Sequence, residues 1–176
     1  MDFTEGVYLT FCVLEAARLA GIKRMIYPSG SGVYGDCGEC YCEENQGQLM
    51  PISLYGASKL SGEAYISGYC AMFAMSACIF RFANVVGPNQ THGVAWDFIR
   101  RLKADPSQLQ ILGDGKQSKS YIHVDDVVDA MFYINDCLEE GCDVMNVATE
   151  DGITVNEIAE IVIEEMGLKG KTHLSY

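Results

Sequence analysis

The sequence predicts an α/β fold in which parallel strands alternate with covering helices. Two short runs, residues 22–28 ("IKRMIYP") and 76–86 ("SACIFRFANVV"), read as strands apolar on both faces, the pattern of a parallel sheet buried under helices. A helical pattern over residues 54–73 separates them, so the three segments make a β–α–β unit, which takes a right-handed crossover. The first run ends in a turn rich in glycine and serine, "SGSGVYG", at the strand end where open α/β sheets receive ligands.

The other elements follow in order. Residues 7–20 place Val7, Phe11, Leu14, Ala17 and Leu19 at helical spacing, and Gly21 suits the end of that helix. Residues 35–53, with glycines, acids and Pro51, read as a loop. Beyond "GPNQTHG", residues 94–104 form an amphipathic helix, and "LQILG" and "SYIHV" are short strands around the "GDGKQSK" turn. Residues 125–139 are helical, and "DVMNVA" is a strand. "TVNEIAEIVIEEMG" is a helix with Thr154 as N-cap and Glu157 at the capping-box position.

Two consecutive parallel strands make a poor sheet alone. The G-x-G-x-x-G turn that opens a dinucleotide-binding sheet is absent from the sequence. The expected organisation is therefore the later strands of a doubly wound parallel sheet in residues 1–90. Part of a smaller α+β substrate region follows in residues 91–176, interleaved with the last elements of that sheet.

Composition narrows the function. With 176 residues, 49% hydrophobic and 20% charged, the chain can bury a core. A net charge of −12 repels phosphate backbones and argues against nucleic acid as a partner. No apolar run reaches the roughly 20 residues that span a bilayer. The start, "MDFTEGVYLTFCVLEAAR", reads as helix rather than signal peptide. Eight cysteines without a secretory signal then imply reduced thiols in a cytoplasm.

The chemistry centres on "LYGASKL". Tyr55 and Lys59 are four residues apart on a helix and share a face. A phenol is a poor base at neutral pH, and a neighbouring ammonium favours its ionised form. The pair suits proton exchange with a substrate hydroxyl. Y-x-x-x-K alone is a weak signal, because exposed helices often produce it.

The ordered set "VLEAAR", "VYG", "YGASKLSGE", "RFANVVGP" and "GDG…YIHVDD" is far more specific, and it spans essentially the whole chain. It resembles the extended short-chain dehydrogenase/reductase family, within it the nucleotide-sugar epimerases of the UDP-glucose 4-epimerase type. The resemblance implies a Rossmann-like fold and epimerisation at C4 of a UDP-hexose through transient oxidation by bound NAD. Tyr55 would take the hydroxyl proton, with Lys59 supporting it. Tyr55, Lys59, Ser29 and Phe82 fall on the cofactor side. Asn84, Lys119 and His123 fall on the substrate side, with Lys119 where the family usually has a diphosphate-binding arginine. Lysine keeps the charge but loses the planar fork. The implied assembly is a homodimer, or a pairing that completes the sheet through exposed edges.

Several positions depart from the pattern. Counted back from "VYG", the family's catalytic hydroxyl falls at Gly30, flanked by Ser29 and Ser31. Either serine is a candidate replacement, although neighbours on an extended backbone point to opposite sides. Loss of that donor would cost on the order of 10²-fold in rate. Ser31 and Gly32 stand where the family's dehydratases carry an Asp-Glu pair, which disfavours water elimination. Gly6 lies where the family helix usually has asparagine. Without the glycine fingerprint, the chain alone is expected to bind NAD poorly and to be weak or inactive. The alternatives are an impaired fragment or non-catalytic nucleotide-sugar-binding remnant, and a related dehydratase or reductase.

"CGECYC" places Cys37, Cys40 and Cys42 close together, but no histidine or second C-x-x-C completes a zinc set, and free thiols are expected. His92 reads as a structural histidine. Trp96 and Phe98 read as core residues of an amphipathic helix rather than as a cover for a nucleobase.

Overall fold

The computed structural model describes residues 1–38 and 41–176. The chain divides into two compact units, one of residues 1–83 and 125–148, the other of residues 84–124 and 149–176. The strand expected over 76–86 breaks at Ala83. Its first part pairs within the first unit, and its last three residues pair within the second.

The first unit opens with a π-helical stretch, Phe3–Tyr8, that runs into α1, Leu9–Leu19. β1 is Arg24–Gly30 and α2 is Leu54–Phe73. β2 is Ser76–Phe82. In the second unit, β3 is Asn84–Val86, α3 is Val94–Ala104 and β4 is Gln108–Gln110. β5, Ser118–Lys119, and β6, Tyr121–His123, follow. The chain then returns to the first unit through α4, Val124–Cys137, and β7, Cys142–Val147. β8, Ile153–Thr154, α5, Val155–Glu165, and β9, His173–Ser175, complete the second unit.

β1, β2 and β7 form a parallel sheet in the order β1-β2-β7. β2 is central, and its alternation builds two cores. Ala77 and Ile79 pack with Leu14 and Ala17 of α1 and Ile66 and Cys70 of α2. Cys78 and Phe80 pack with Leu138, Met131 and Ile134 on the α4 side. Both faces of the strand are thus covered, as its apolar run requires.

α2 begins where Ser53 caps it, its hydroxyl accepting from the Gly56 amide at 3.0 Å. Gly56 is buried against the 3₁₀ turn Ser31–Val33, and a Cβ there would collide with the Gly32 carbonyl. Gly56→Ala therefore sets a helix-propensity gain of at most about 1 kcal/mol against an overpacking cost of about 1–3 kcal/mol. The collision is with backbone, which yields little, so a net loss of stability is expected. Urea unfolding measures it, and a stabilised variant would contradict the close approach.

In the second unit, Phe98, Leu102, Leu109, Ile111, Ile158, Ala159, Val162 and Ile163 form the core. Thr154 and Glu157 make the expected capping box at α5. β8 and β9 are too short to carry a periodic signal, and only their pairing with β5 and β4 defines them.

One expectation is corrected. Cys37 and Cys42 are joined by a disulfide rather than being free thiols. Gly38, at φ +59°, turns the loop there, and its amide donates to Asp36 at 3.0 Å. Cys40 lies outside the described residues. Cys12, Cys70, Cys78, Cys137 and Cys142 are free.

Candidate functional site at the ends of β1 and β2

The expected pair comes together with the glycine turn in the first unit. Tyr55 is 54% exposed, so its phenol is open to a ligand. A Cβ built at Gly30 would lie 3.9 Å from the Tyr55 hydroxyl and 3.9 Å from the Phe82 carbonyl oxygen. Position 30 is therefore the residue of β1 whose side-chain direction meets Tyr55. Gly30 is fully extended, at φ −163° and ψ 162°, a conformation open to any residue.

Lys59 donates from Nζ to the Pro28 carbonyl at 2.7 Å. Its ammonium lies 5.2 Å from the Tyr27 ring centroid and 5.7 Å from that of Tyr55. Burial holds its pKa below the ordinary lysine value. Burial likewise raises the Tyr27 phenol, with a hydrogen bond involving Thr10 acting in the opposite direction. An ammonium has three donors, so the bond to Pro28 leaves capacity for a ribose hydroxyl. On this donor set beside the exposed Tyr55, the residues fit the nicotinamide end of a dinucleotide.

The other candidates take different places. Ser29 is buried and donates to Glu63 Oε1 at 2.6 Å. That bond engages its hydroxyl with α2. Ser31 is exposed at the start of the 3₁₀ turn. The Phe82 ring is stacked on Phe80 at 5.9 Å in the core, leaving its carbonyl at the site.

In the second unit, Asn84 pairs with Tyr121 in the β3–β6 register and donates from Nδ2 to the Ser120 carbonyl at 3.1 Å. His123, opposite Val86, and Lys119, opposite Ile153, are both exposed.

Beneath Gly30 lies a polar cluster that the motif reading passed over. Arg81 donates to the Glu63 carboxylate from Nη2 at 2.6 Å and from Nε at 3.1 and 3.2 Å. Its Nη1 donates to the Tyr34 hydroxyl at 3.0 Å, and that hydroxyl donates to Asn146 Oδ1 at 2.7 Å. Two signals in the sequence point to the cluster. Glu63 continues the Tyr55–Lys59 stripe by one more turn, and Arg81 is a lone charge in an apolar strand, which burial permits only with a partner.

Residues 3–148 match the model of the NAD dependent epimerase/dehydratase family. The chain belongs to that family. It is 32% identical over 175 residues to a putative UDP-glucose 4-epimerase of Methanocaldococcus jannaschii, covering 97% of this chain and 56% of that protein. It is 37% identical over 134 residues to UDP-glucose 4-epimerase of Mycolicibacterium smegmatis, covering 73% of this chain and 42% of that protein. A crystal structure of UDP-galactose 4-epimerase superposes with a TM-score of 0.90 at 36% identity, over 99% of this chain and 57% of that one. The chain thus spans about half the length of the curated relatives it matches. The sheet is the partial Rossmann-like α/β fold of these epimerases. No helix among the described residues is long and apolar enough to cross a membrane.

Proposed function

We propose that this chain carries the proton-transfer half of an NAD-dependent nucleotide-sugar epimerase acting at C4 of a UDP-hexose. The observation that supports it most is the meeting of Tyr55, Lys59 and the end of β1 at Gly30. NAD, when bound, supplies the hydride chemistry, and the chain's own residues bind, orient and move a proton. Tyr55 Oη takes the proton of the sugar hydroxyl and returns it, while the Lys59 ammonium steadies negative charge on that oxygen and holds the nicotinamide ribose. We assign the substrate diphosphate to Asn84 and Lys119, with His123 on the same side. Ser31 and Gly32 offer no acid–base pair for dehydration. The assembly in this reading is a homodimer, supported by exposed apolar residues on α1 and α2, among them Phe11 and Tyr65, whose rings meet edge to face at 6.0 Å.

The test is interconversion of UDP-galactose and UDP-glucose by the protein encoded by the complete reading frame that includes Met1. Tyr55→Phe is expected to lower kcat by about 10²–10⁴-fold with UDP-hexose binding retained. Interconversion that survives Tyr55→Phe would remove Tyr55 from the role given to it. A second reading, a nucleotide-sugar-binding protein without turnover, is favoured by the missing hydroxyl at Gly30. Calorimetric binding of UDP-glucose with no interconversion would select it.

A further inference from the structure

Three side chains in one rung of the sheet form a polar layer directly below the site. Ser29, Arg81 and Asn146 are register partners across β1, β2 and β7. The next rung, Gly30, Phe82 and Val147, is the level that Tyr55 meets. Glu63 of α2 accepts from two members of the polar rung at once, Ser29 Oγ and the Arg81 guanidinium. Its side chain is 6% exposed and that of Arg81 4%.

The rung is also tied to the loop that follows the glycine turn. Asn146 donates from Nδ2 to the Cys42 carbonyl and from its amide to Glu44 Oε1, both at 2.8 Å. Arg81 Nη1 reaches the Glu44 carbonyl at 3.2 Å. The Arg81 guanidinium carbon lies 4.8 Å from the Tyr34 ring centroid.

Helical spacing then brings three successive turns of α2 to the end of β1. Tyr55 meets Gly30, Lys59 holds the Pro28 carbonyl, and Glu63 holds the Ser29 hydroxyl. The last of these is the only one of the three whose partner set spans both β1 and β2.

We propose that Glu63 is a positioning residue that fixes the height and rotation of α2 on β1 and β2, and so places Tyr55 and Lys59 at the strand ends. The catalytic meaning of that placement rests on the epimerase reading; the placement itself does not. A carboxylate suits the task because it accepts a guanidinium fork and a hydroxyl together, which an amide does not reproduce.

The test reads Lys59 in this chain without cofactor or substrate. ¹⁵N-lysine labelling allows its ammonium titration to be followed by NMR, with Lys59→Arg to assign the signal. The groups around that ammonium are the Pro28 carbonyl and the Tyr27 and Tyr55 rings. In Glu63→Gln and in Ser29→Ala the midpoint is expected to move upward, toward that of exposed lysines, because a helix released from β1 lets water reach the amine. The sign is diagnostic. Removing a nearby negative charge by itself moves a lysine midpoint down, and Ser29→Ala changes no charge.

Leu138→Ala, which empties part of the opposite core, serves as the control for general loosening and is expected to leave Lys59 in place. A midpoint that stays put or falls in Ser29→Ala overturns the proposal, as does an equal rise in Leu138→Ala. Ser29→Ala decides the matter if Glu63→Gln does not fold. Failure of UDP-hexose interconversion, by contrast, would sink the epimerase reading and leave this result standing.

Discussion

Glu63→Ala is expected to cost this chain about 3–5 kcal/mol of folding stability, the range for breaking a buried ion pair from one side. The loss has a specific origin. Arg81 would keep its charge in a place where its side chain is 4% exposed, with the Tyr34 hydroxyl and the Glu44 carbonyl as its remaining acceptors among the described residues. The Ser29 hydroxyl would lose its acceptor as well. Domains of this size hold about 5–15 kcal/mol in total, so at least about a fifth of the margin goes with one carboxylate.

The pair itself is a weaker source of stability than that figure suggests. Two charges withdrawn from water repay their desolvation only in part, and apolar replacements of similar volume are often neutral or better. Glu63→Leu combined with Arg81→Met should therefore be more stable than either Glu63→Leu or Arg81→Met alone. Urea unfolding of the singles and the double completes the cycle. Losses that simply add would mean that the two side chains act independently, against the geometry. The double variant should also lose the hold on Ser29, so stability and placement of α2 separate: the first recovers and the second does not.

This separation marks what the sequence could and could not convey. Helix α2 was legible because its signal is local: a helical pattern over residues 54–73 with Tyr55 and Lys59 one turn apart. The α5 capping box was legible for the same reason. The break at Ala83 was not, because nothing in "FRFANVV" interrupts a strand pattern and pairing alone divides it between two units. Nor was the engagement of Ser29 legible. Its partner lies 34 residues away, and no local pattern announces the bond. Arg81 in "SACIFRF" did carry a signal. A single charge in a strand destined for burial demands a counter-charge, and Glu63, on the stripe already singled out, was the available one.

Gly30→Ser is expected to raise turnover on the order of 10²-fold in the protein that carries this chain, by restoring a donor to the reacting oxygen. The structure makes room for it. A Cβ at position 30 would have the Phe82 carbonyl and the Tyr55 hydroxyl as neighbours, both at 3.9 Å, an ordinary van der Waals distance. The extended backbone accepts an L-residue without strain. A serine Oγ sits one bond further out, within reach of the oxygen that Tyr55 would face. Neither flanking serine is an equivalent. Ser29 is engaged by Glu63, and Ser31 lies beyond the strand on the exposed turn. Gly30→Ala separates the hydroxyl from the methylene. Both substitutions restrict the unfolded chain and should stabilise the fold by a similar amount, about 0.4–1 kcal/mol; only the serine should change kcat. Equal stabilisation with unequal turnover would assign the gain to the donor. If serine fits, as the stability gain would report, and kcat still does not rise, then the reacting oxygen is already polarised from elsewhere. Ser31→Ala in the otherwise native chain would then be the variant whose turnover collapses.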